Sequence, residues 1–394
     1  MAFPTGSYDA TTYALINGAL SAYGYDNMQT FLNTAYFDWF SQVKWTEFYD
    51  EAAPSLAGEY KQLRGNKSIP VMASIVAYDG EAPKITTDQI TISSGNLPRM
   101  KLGFDANEKS MLEMKKMMVN FQAVPNFELL FNQFSLNVGK LLSGIHALIT
   151  FAGLQILSTG AYTTTVLNNG GGLQGLAFDF GVPAANKLKC GSGAYGTKSD
   201  WSSASANPIG DLLDMQAFAR LHFITIGEFC MNDATWIIFK NHATVRAAIA
   251  IKMTGGTVLA ANYGLYPVTE SDVRIYLEGL DLPPINVIKD VATVGVFDTA
   301  TRTIQKKALR GFVDGVVVAR PSGSFGELQW TYPDLSFATV ANPAYTAEGG
   351  KFAVFQETDS KKKSTEFIAE CTCIPVPTQI DFTIYLDTTT ATTP

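Results

Sequence analysis

Between Phe127 and Ile156 the apolar residues fall at intervals of three and four: Phe127, Leu130, Phe131, Phe134, Val138, Leu141, Leu142, Ile145, Leu148, Ile149, Ala152 and Ile156. That spacing predicts one buried helix face, and at 1.5 Å per residue the helix runs roughly 50 Å. An earlier helical pattern, Asn107 to Val124, sets Met111, Met114 and Met118 on one face, and Pro125 interrupts or kinks the join. The methionines read as packing. Before these helices, Lys67 to Phe104 is rich in Ile, Val and Thr and is broken at Asp79-Gly80, Pro83, Ser94-Gly95 and Pro98, the pattern of a two-stranded arm. Such a ribbon has too little apolar face to offset the ordering of its own backbone, so it needs a neighbour to lie on. The order of segments predicts an assembly subunit rather than a self-contained enzyme.

The first 55 or so residues read as an arm with short helical pieces. In MQTFLNTAYFDWFSQV, Phe31, Leu32, Ala35, Tyr36, Trp39 and Val43 recur at helical spacing, either as an ordinary core helix or as one packed on a partner subunit. Beyond Gly160 a Thr-, Gly- and Asn-rich connector follows. Its Gly170 to Gly172 run lacks the GK[ST] of a phosphate loop and reads as a turn. Asn207-Pro208 then opens a helix over IGDLLDMQAFARLHFITIGE; ATWIIFKN reads as a buried strand, and HATVRAAIAIKM as a helix beginning near Asn241. VGVFDT and the apolar run Gly315 to Ala319 read as strands, in an alternation typical of an α/β unit. The stretch from Phe352 to Asp387 reads as paired strands joined by a charged turn at Asp359 to Lys363, where Lys361 to Lys363 is a solvated turn or a contact for an acidic partner or phosphate backbone.

Composition narrows the function classes. The 394 residues are 46% hydrophobic, 12% aromatic and only 16% charged, so part of the surface is expected to meet protein rather than water. The formal net charge of −7 disfavours specific nucleic-acid readout. Leu141 to Leu157 is interrupted by Ser143, Gly144, His146, Thr150 and Gln155 and does not read as a membrane span. Nothing at the N-terminus resembles a signal peptide, and the scattered Cys190, Cys230, Cys371 and Cys373 suit a reducing compartment.

Candidate chemistry is sparse. His146, His222 and His242 fall in different elements with no metal-ligand spacing, and no cofactor motif, GxSxG elbow or P-loop occurs. Cys371-Thr372-Cys373 places two thiols on one strand face, where they read as small buried hydrophobes. Asp211, Asp214 and Glu228 are imaginable acid-base groups, but 36 acidic residues offer many such pairs. No residue is expected to be catalytic, and no cofactor or metal is expected.

The segments GNKSIPVMASIVAYDGEAPKI, NLPRMKLGFDANEKSMLEM, DWSSASANPIGDLLDMQ, ATWIIFKNHATVRAAI, LDLPPINVIKD and GFVDGVVVARPSGSFGELQW, in this order, make the chain resemble a tailed-bacteriophage major capsid protein of the Hong Kong 97 fold. The resemblance covers about residues 55 to 390 and implies an α+β subunit. It places an N-terminal arm at 1–58, an extended β-hairpin loop at 59–104, a peripheral domain with a long spine helix and strands at 105–208, an axial α/β domain at 209–330 and return strands of the peripheral domain at 331–394. Candidate intersubunit contacts are Tyr78, Asp79, Glu81 and Lys84 in the loop and Phe37 and Trp39 in the aromatic helix. The implied partners are further copies in hexamers and pentamers, then scaffold, portal and decoration proteins, with packaged double-stranded DNA in non-specific proximity. The implied location is the virion, with the host cytoplasm during assembly. The short segment before the arm suggests a separate scaffold or none, and Met1 argues against N-terminal cleavage. An encapsulin-type cargo shell shares the fold and is the alternative.

Overall fold

Among the described residues, the longest strand and the longest helix pack on each other. The computed structural model describes residues 44–64, 91–106, 125–169, 172–189, 199–255, 268–298, 303–336, 338–339, 343–359 and 364–389. After a 3-10 turn at Trp45–Glu47 come β1 (Tyr49–Glu51), β2 (Glu59–Arg64), β3 (Thr91–Asn96) and β4 (Arg99–Ala106). Helix α1 spans Pro125–Thr159, 35 residues or about 52 Å. It begins on proline, whose fixed φ suits the first helical position. It ends at Gly160, whose φ of +74° is the left-handed conformation that closes many helices.

Short strands follow: β5 (Ala161–Thr163) pairs with β6 (Ala177–Asp179), and β7 is Lys187–Lys189. Next come α2 (Pro208–Leu221), β8 (Glu228–Asn232), α3 (Asp233–Asn241), α4 (Ala243–Thr254) and α5 (Glu270–Glu278). The remaining strands are β9 (Ile285–Ile288), β10 (Val291–Asp298), β11 (Thr303–Arg310), β12 (Val316–Arg320), β13 (Gly326–Thr331), β14 (Ala344–Ala347), β15 (Phe352–Asp359), β16 (Ser364–Pro377) and β17 (Ile384–Asp387).

The first sheet runs β1-β13-β16-β15-β14, with β4 also on β16. Strand β1 is parallel to β13, and the other pairs are antiparallel. The paired strands expected over the last stretch are present, with Asp359 opposite Ser364. Against this sheet lies the expected helix stripe: Leu141, Leu142, Ile145, Ile149, Ala152 and Ile156 are buried. Near its end α1 is buried on further sides, because Phe151, Leu154 and Leu157 also lie inside and Gly311 approaches the Phe151 backbone too closely for a side chain. The stretch Gly139–Thr159 is long and apolar enough to cross a membrane, and most of it is buried inside this core.

The second sheet, β7-β17-β12-β8-β9, has cores on both faces. Val317, Ala319, Phe229, Met231, Ile384 and Leu386 face a cluster formed with α2 to α5. The alternate residues Val318, Cys230 and Tyr385 face the core of α1 and the first sheet. Burial on both faces accounts for the unbroken apolar run at Gly315 to Ala319.

Three local expectations are corrected. ATWIIFKN lies in helix α3, because Asn232 caps it by accepting from Thr235 N at 2.8 Å and its buried face is Thr235, Trp236 and Phe239 while Ile237 and Ile238 are exposed. The helix opened by Pro208 stops at Leu221: Phe223 takes φ +57° and Ile224 N bonds back to Ala219 O, a Schellman ending without glycine. Strand β3 runs through Ser94-Gly95 instead of breaking there, because the bare Cα of Gly95 lies beneath the Tyr60 ring.

Candidate functional site

Among the described residues, strands β2 and β3 pair only with each other, and their inner face is anchored to the body. Tyr60 packs edge-on against Phe178 and Phe180, with ring centroids 6.1 and 5.8 Å away. Gln62 Nε2 donates to Pro377 O at 3.1 Å. The Gln329 side chain stands in for a neighbouring strand: Lys61 N donates to its Oε1 and its Nε2 donates to Lys61 O, both at 2.8 Å. Arg64 pairs with Asp381 at 3.4 Å. The outer face carries Leu63 and Ile92, directly opposite each other in the ladder and 63% and 64% exposed. An apolar cross-strand pair turned to solvent is poorly explained by the stability of one subunit and suits a contact with another.

A second constellation ties the segment following the first 43 residues to the body. Trp45 Nε1 donates to His146 Nδ1 at 3.1 Å, and His146 Nε2 lies 2.5 Å from Glu348 Oε1. Lys351, with no exposed side-chain surface, holds Glu348 at 3.0 Å and Glu51 at 2.7 Å. Burial pulls its pKa down, but the two carboxylates outweigh that and hold the ammonium above its usual value. Glu348, Gly349 and Gly350 all have positive φ, a turn that sends the Glu348 carboxylate inward. Rings of Trp45, Trp330 and Phe352 surround the ammonium at 5.5 to 5.9 Å. The group is a structural clasp between the Trp45 turn, α1 and the first sheet.

In the α/β unit the carboxylate of Asp211 accepts from Trp201 Nε1 at 2.7 Å. Burial pushes its pKa up to about 6, the indole bond pulls it back, and Asp214 adds to the rise. Asp211 sits in the first turn of α2 beneath the indole, and its role is to brace Trp201. The helices of this unit also leave Ile237, Ile238, Ile251, Met253 and Ile275 exposed.

The three histidines lie in separate places: His146 in the clasp, His222 at the end of α2, and His242 capping α4. Cys371 and Cys373 are buried side by side with Sγ atoms 3.4 Å apart, and burial holds the Cys371 thiol well above its ordinary pKa. Among the described residues no three His, Cys, Asp or Glu side chains are grouped to hold a metal. An open cleft of about 460 Å³ beside the hairpin is lined by Arg64, Thr91, Asn186, His222 and Asp381. Its Arg64 and Asp381 are already paired with each other.

The residues singled out in the sequence, Tyr78, Asp79, Glu81, Lys84, Phe37 and Trp39, lie outside the described residues, as do Lys361 to Lys363 and the pattern Asn107 to Val124. Sequence reading missed the Leu63 and Ile92 pair, although a single aliphatic residue in each of the two strands was a visible signal. It also missed Lys351, for which the sequence holds no signal.

The phage major capsid protein E family model matches residues 55–388 of this sequence. The chain belongs to that family. Its role is that of a structural shell protein of the phage capsid, and its fold is of the α+β class that the sequence predicted. Among solved structures, the chain is similar to a phage-related protein from Bordetella bronchiseptica RB50 at 12% identity and TM-score 0.45, covering 88% of this chain and 92% of that one. It is similar to a protein assigned as the capsid protein of an Escherichia coli CFT073 prophage at 10% identity and TM-score 0.48, covering 90% and 98%. An encapsulin complex from Synechococcus elongatus PCC 7942 is similar at 11% identity and TM-score 0.35, covering 90% and 88%. These likenesses are remote, and membership of the family rests on the sequence match. No curated protein matches the chain.

Proposed function

We propose that this capsid protein assembles as hexamers and pentamers into the icosahedral head shell that encloses the double-stranded DNA of a tailed phage. Assembly takes place in the host cytoplasm, with scaffold, portal and decoration proteins as further partners. The observation that carries the reading is the hairpin base: one face is bolted to the body by Tyr60, Gln62 and Arg64, and the other presents Leu63 and Ile92 to solvent.

In this reading residues 1–58 are the arm, 59–104 the extended loop, 105–208 and 331–394 the peripheral domain, and 209–330 the axial domain. Tyr78, Asp79, Glu81, Lys84, Phe37 and Trp39 contact neighbouring subunits. Each copy lays its loop over the next, and apolar burial at about 25 cal/mol per Å² accumulates over every copy in a closed shell. A net charge of −7 lets packaged DNA lie within without adhering to the wall.

The test is negative-stain electron microscopy and light scattering of the purified protein beside the Leu63→Ser, Ile92→Ser double variant. Closed shells or rings from the wild type, and soluble folded subunits from the variant, are expected. Nucleic-acid content points to a phage head, and a copurifying enzyme to an encapsulin-type shell. Shells of normal yield from the variant would sink the hairpin contact.

A further inference from the structure

Among the described residues the ribbon β10–β11 is one of three two-stranded sheets, with β2–β3 and β5–β6, that are not part of the two large ones. Its eight rungs run from Val291 opposite Arg310 to Asp298 opposite Thr303, and among the described residues neither outer edge pairs with another strand. Ala292 and Leu309 pack on the main core at its base. Farther along, Lys306 and Lys307 are both exposed although they are consecutive. Consecutive strand residues point to opposite faces, so at these two positions the ribbon has left the body.

The ribbon differs in charge from the rest of the chain. Between Val291 and Arg310 there are four basic residues and one acidic residue, in a protein whose net charge is −7. Arg310 pairs with Asp314 at 3.6 Å. Lys306 and Lys307 have no ion pair among the described residues. A basic ribbon with two open edges on an acidic chain calls for an acidic surface to lie on.

We propose that the β10–β11 ribbon is an electrostatic contact onto an acidic surface of a second copy of this chain. The inference rests on the assembly reading above. A copy of the same acidic chain is present at high local concentration in a shell. Two lysines, by contrast, neutralise only about two phosphates, too few for appreciable binding to DNA at physiological salt. Lysines also guard exposed strand edges against unwanted pairing, but a glutamate keeps a charge on the edge as well, so reversing the charge separates the two roles.

The experiment compares the wild type with Lys306→Glu, Lys307→Glu and Lys306→Gln, Lys307→Gln double variants. Thermal unfolding, light scattering and electron microscopy are recorded at about 50 mM and about 500 mM NaCl, where screening differs severalfold. The expected result is unchanged thermal unfolding for all three proteins. The yield of closed particles falls at least tenfold in the Glu variant and less in the Gln variant, and high salt weakens wild-type assembly. Particles of normal yield from the Glu variant overturn the inference. So does normal assembly accompanied by loss of copurifying nucleic acid, which assigns the ribbon to DNA instead. If the wild type forms no particles, the assembly reading itself fails, whereas particles from the wild type and the Glu variant alike overturn the ribbon contact alone. The Gln variant keeps the test decisive should the Glu variant misfold.

Discussion

The indole N–H of Trp45 donates to Nδ1 of His146 at 3.1 Å, with the two rings 10° from parallel. An indole nitrogen only donates, so Nδ1 must accept and the ring hydrogen sits on Nε2, aimed at Glu348 Oε1. One bond across 101 residues thereby orients the imidazole that links α1 to the strained turn at Glu348. Replacing Trp45 by Phe keeps an aromatic ring but leaves Nδ1 buried without its donor. The expected cost is about 1–3 kcal/mol, read as a lower apparent Tm; an unchanged Tm would show that the bond contributes nothing.

Lys351 is the charge that the clasp cannot lose cheaply. Lys351→Met leaves Glu348, only 4% exposed, without its cation. A loss of about 3–5 kcal/mol is expected. Adding Glu348→Gln should recover part of it, because the second change removes the stranded carboxylate. Thermal unfolding of both single variants and the double variant checks the coupling, and strictly additive losses would refute it.

Asp211 carries a pH signature of opposite sign to most carboxylates. Its folded pKa, about 6, lies above the usual 3.8. The folded state therefore binds the proton more tightly, and the site favours folding most below about pH 4 and progressively less as pH rises through 6. Asp211→Asn keeps an acceptor for the Trp201 indole and removes the buried charge. It should stabilise the protein by about 2 kcal/mol at pH 7 and by nothing at pH 4. Denaturation curves at the two pH values test this, and a gain independent of pH would contradict it.

Two glycines with left-handed backbone should respond differently to alanine. At Gly58, φ +66°, a Cβ meets nothing within 4 Å, and only backbone strain of about 1–2 kcal/mol is expected. At Gly160 the added Cβ would also fall 2.0 Å from Val182 Cγ2. The cost there rises to about 2–4 kcal/mol. Equal shifts in Tm for the two variants would show that the end of α1 relaxes freely.

What the sequence made legible was local or periodic. The stripe from Leu141 to Ile156 announced its helix because a 3.6-residue period belongs to one face of one element. The strands around Phe352 to Pro377 and the helices opening at Pro208 and beside His242 were legible for similar reasons of spacing and punctuation. The run Trp236-Ile237-Ile238-Phe239 was not, because four consecutive apolar residues fit a buried strand as well as a helix. Its state depends on a capping bond from Asn232 and on Trp236 and Phe239 finding the second core.

The sequence by itself determined the α+β class and the long helix, since these follow from local spacing along the chain, and it carried the family through the order of segments that resemble it. Tertiary structure alone decided the functional surfaces. The anchors of the hairpin, Gln329, Pro377 and Asp381, come from some 270 to 320 residues away. Lys351 is buried because the fold carries Glu51 to it from 300 positions earlier. A lone lysine reads as surface in any sequence, because its charge is costly to bury until an acidic partner is brought alongside, and bringing partners together is what folding does.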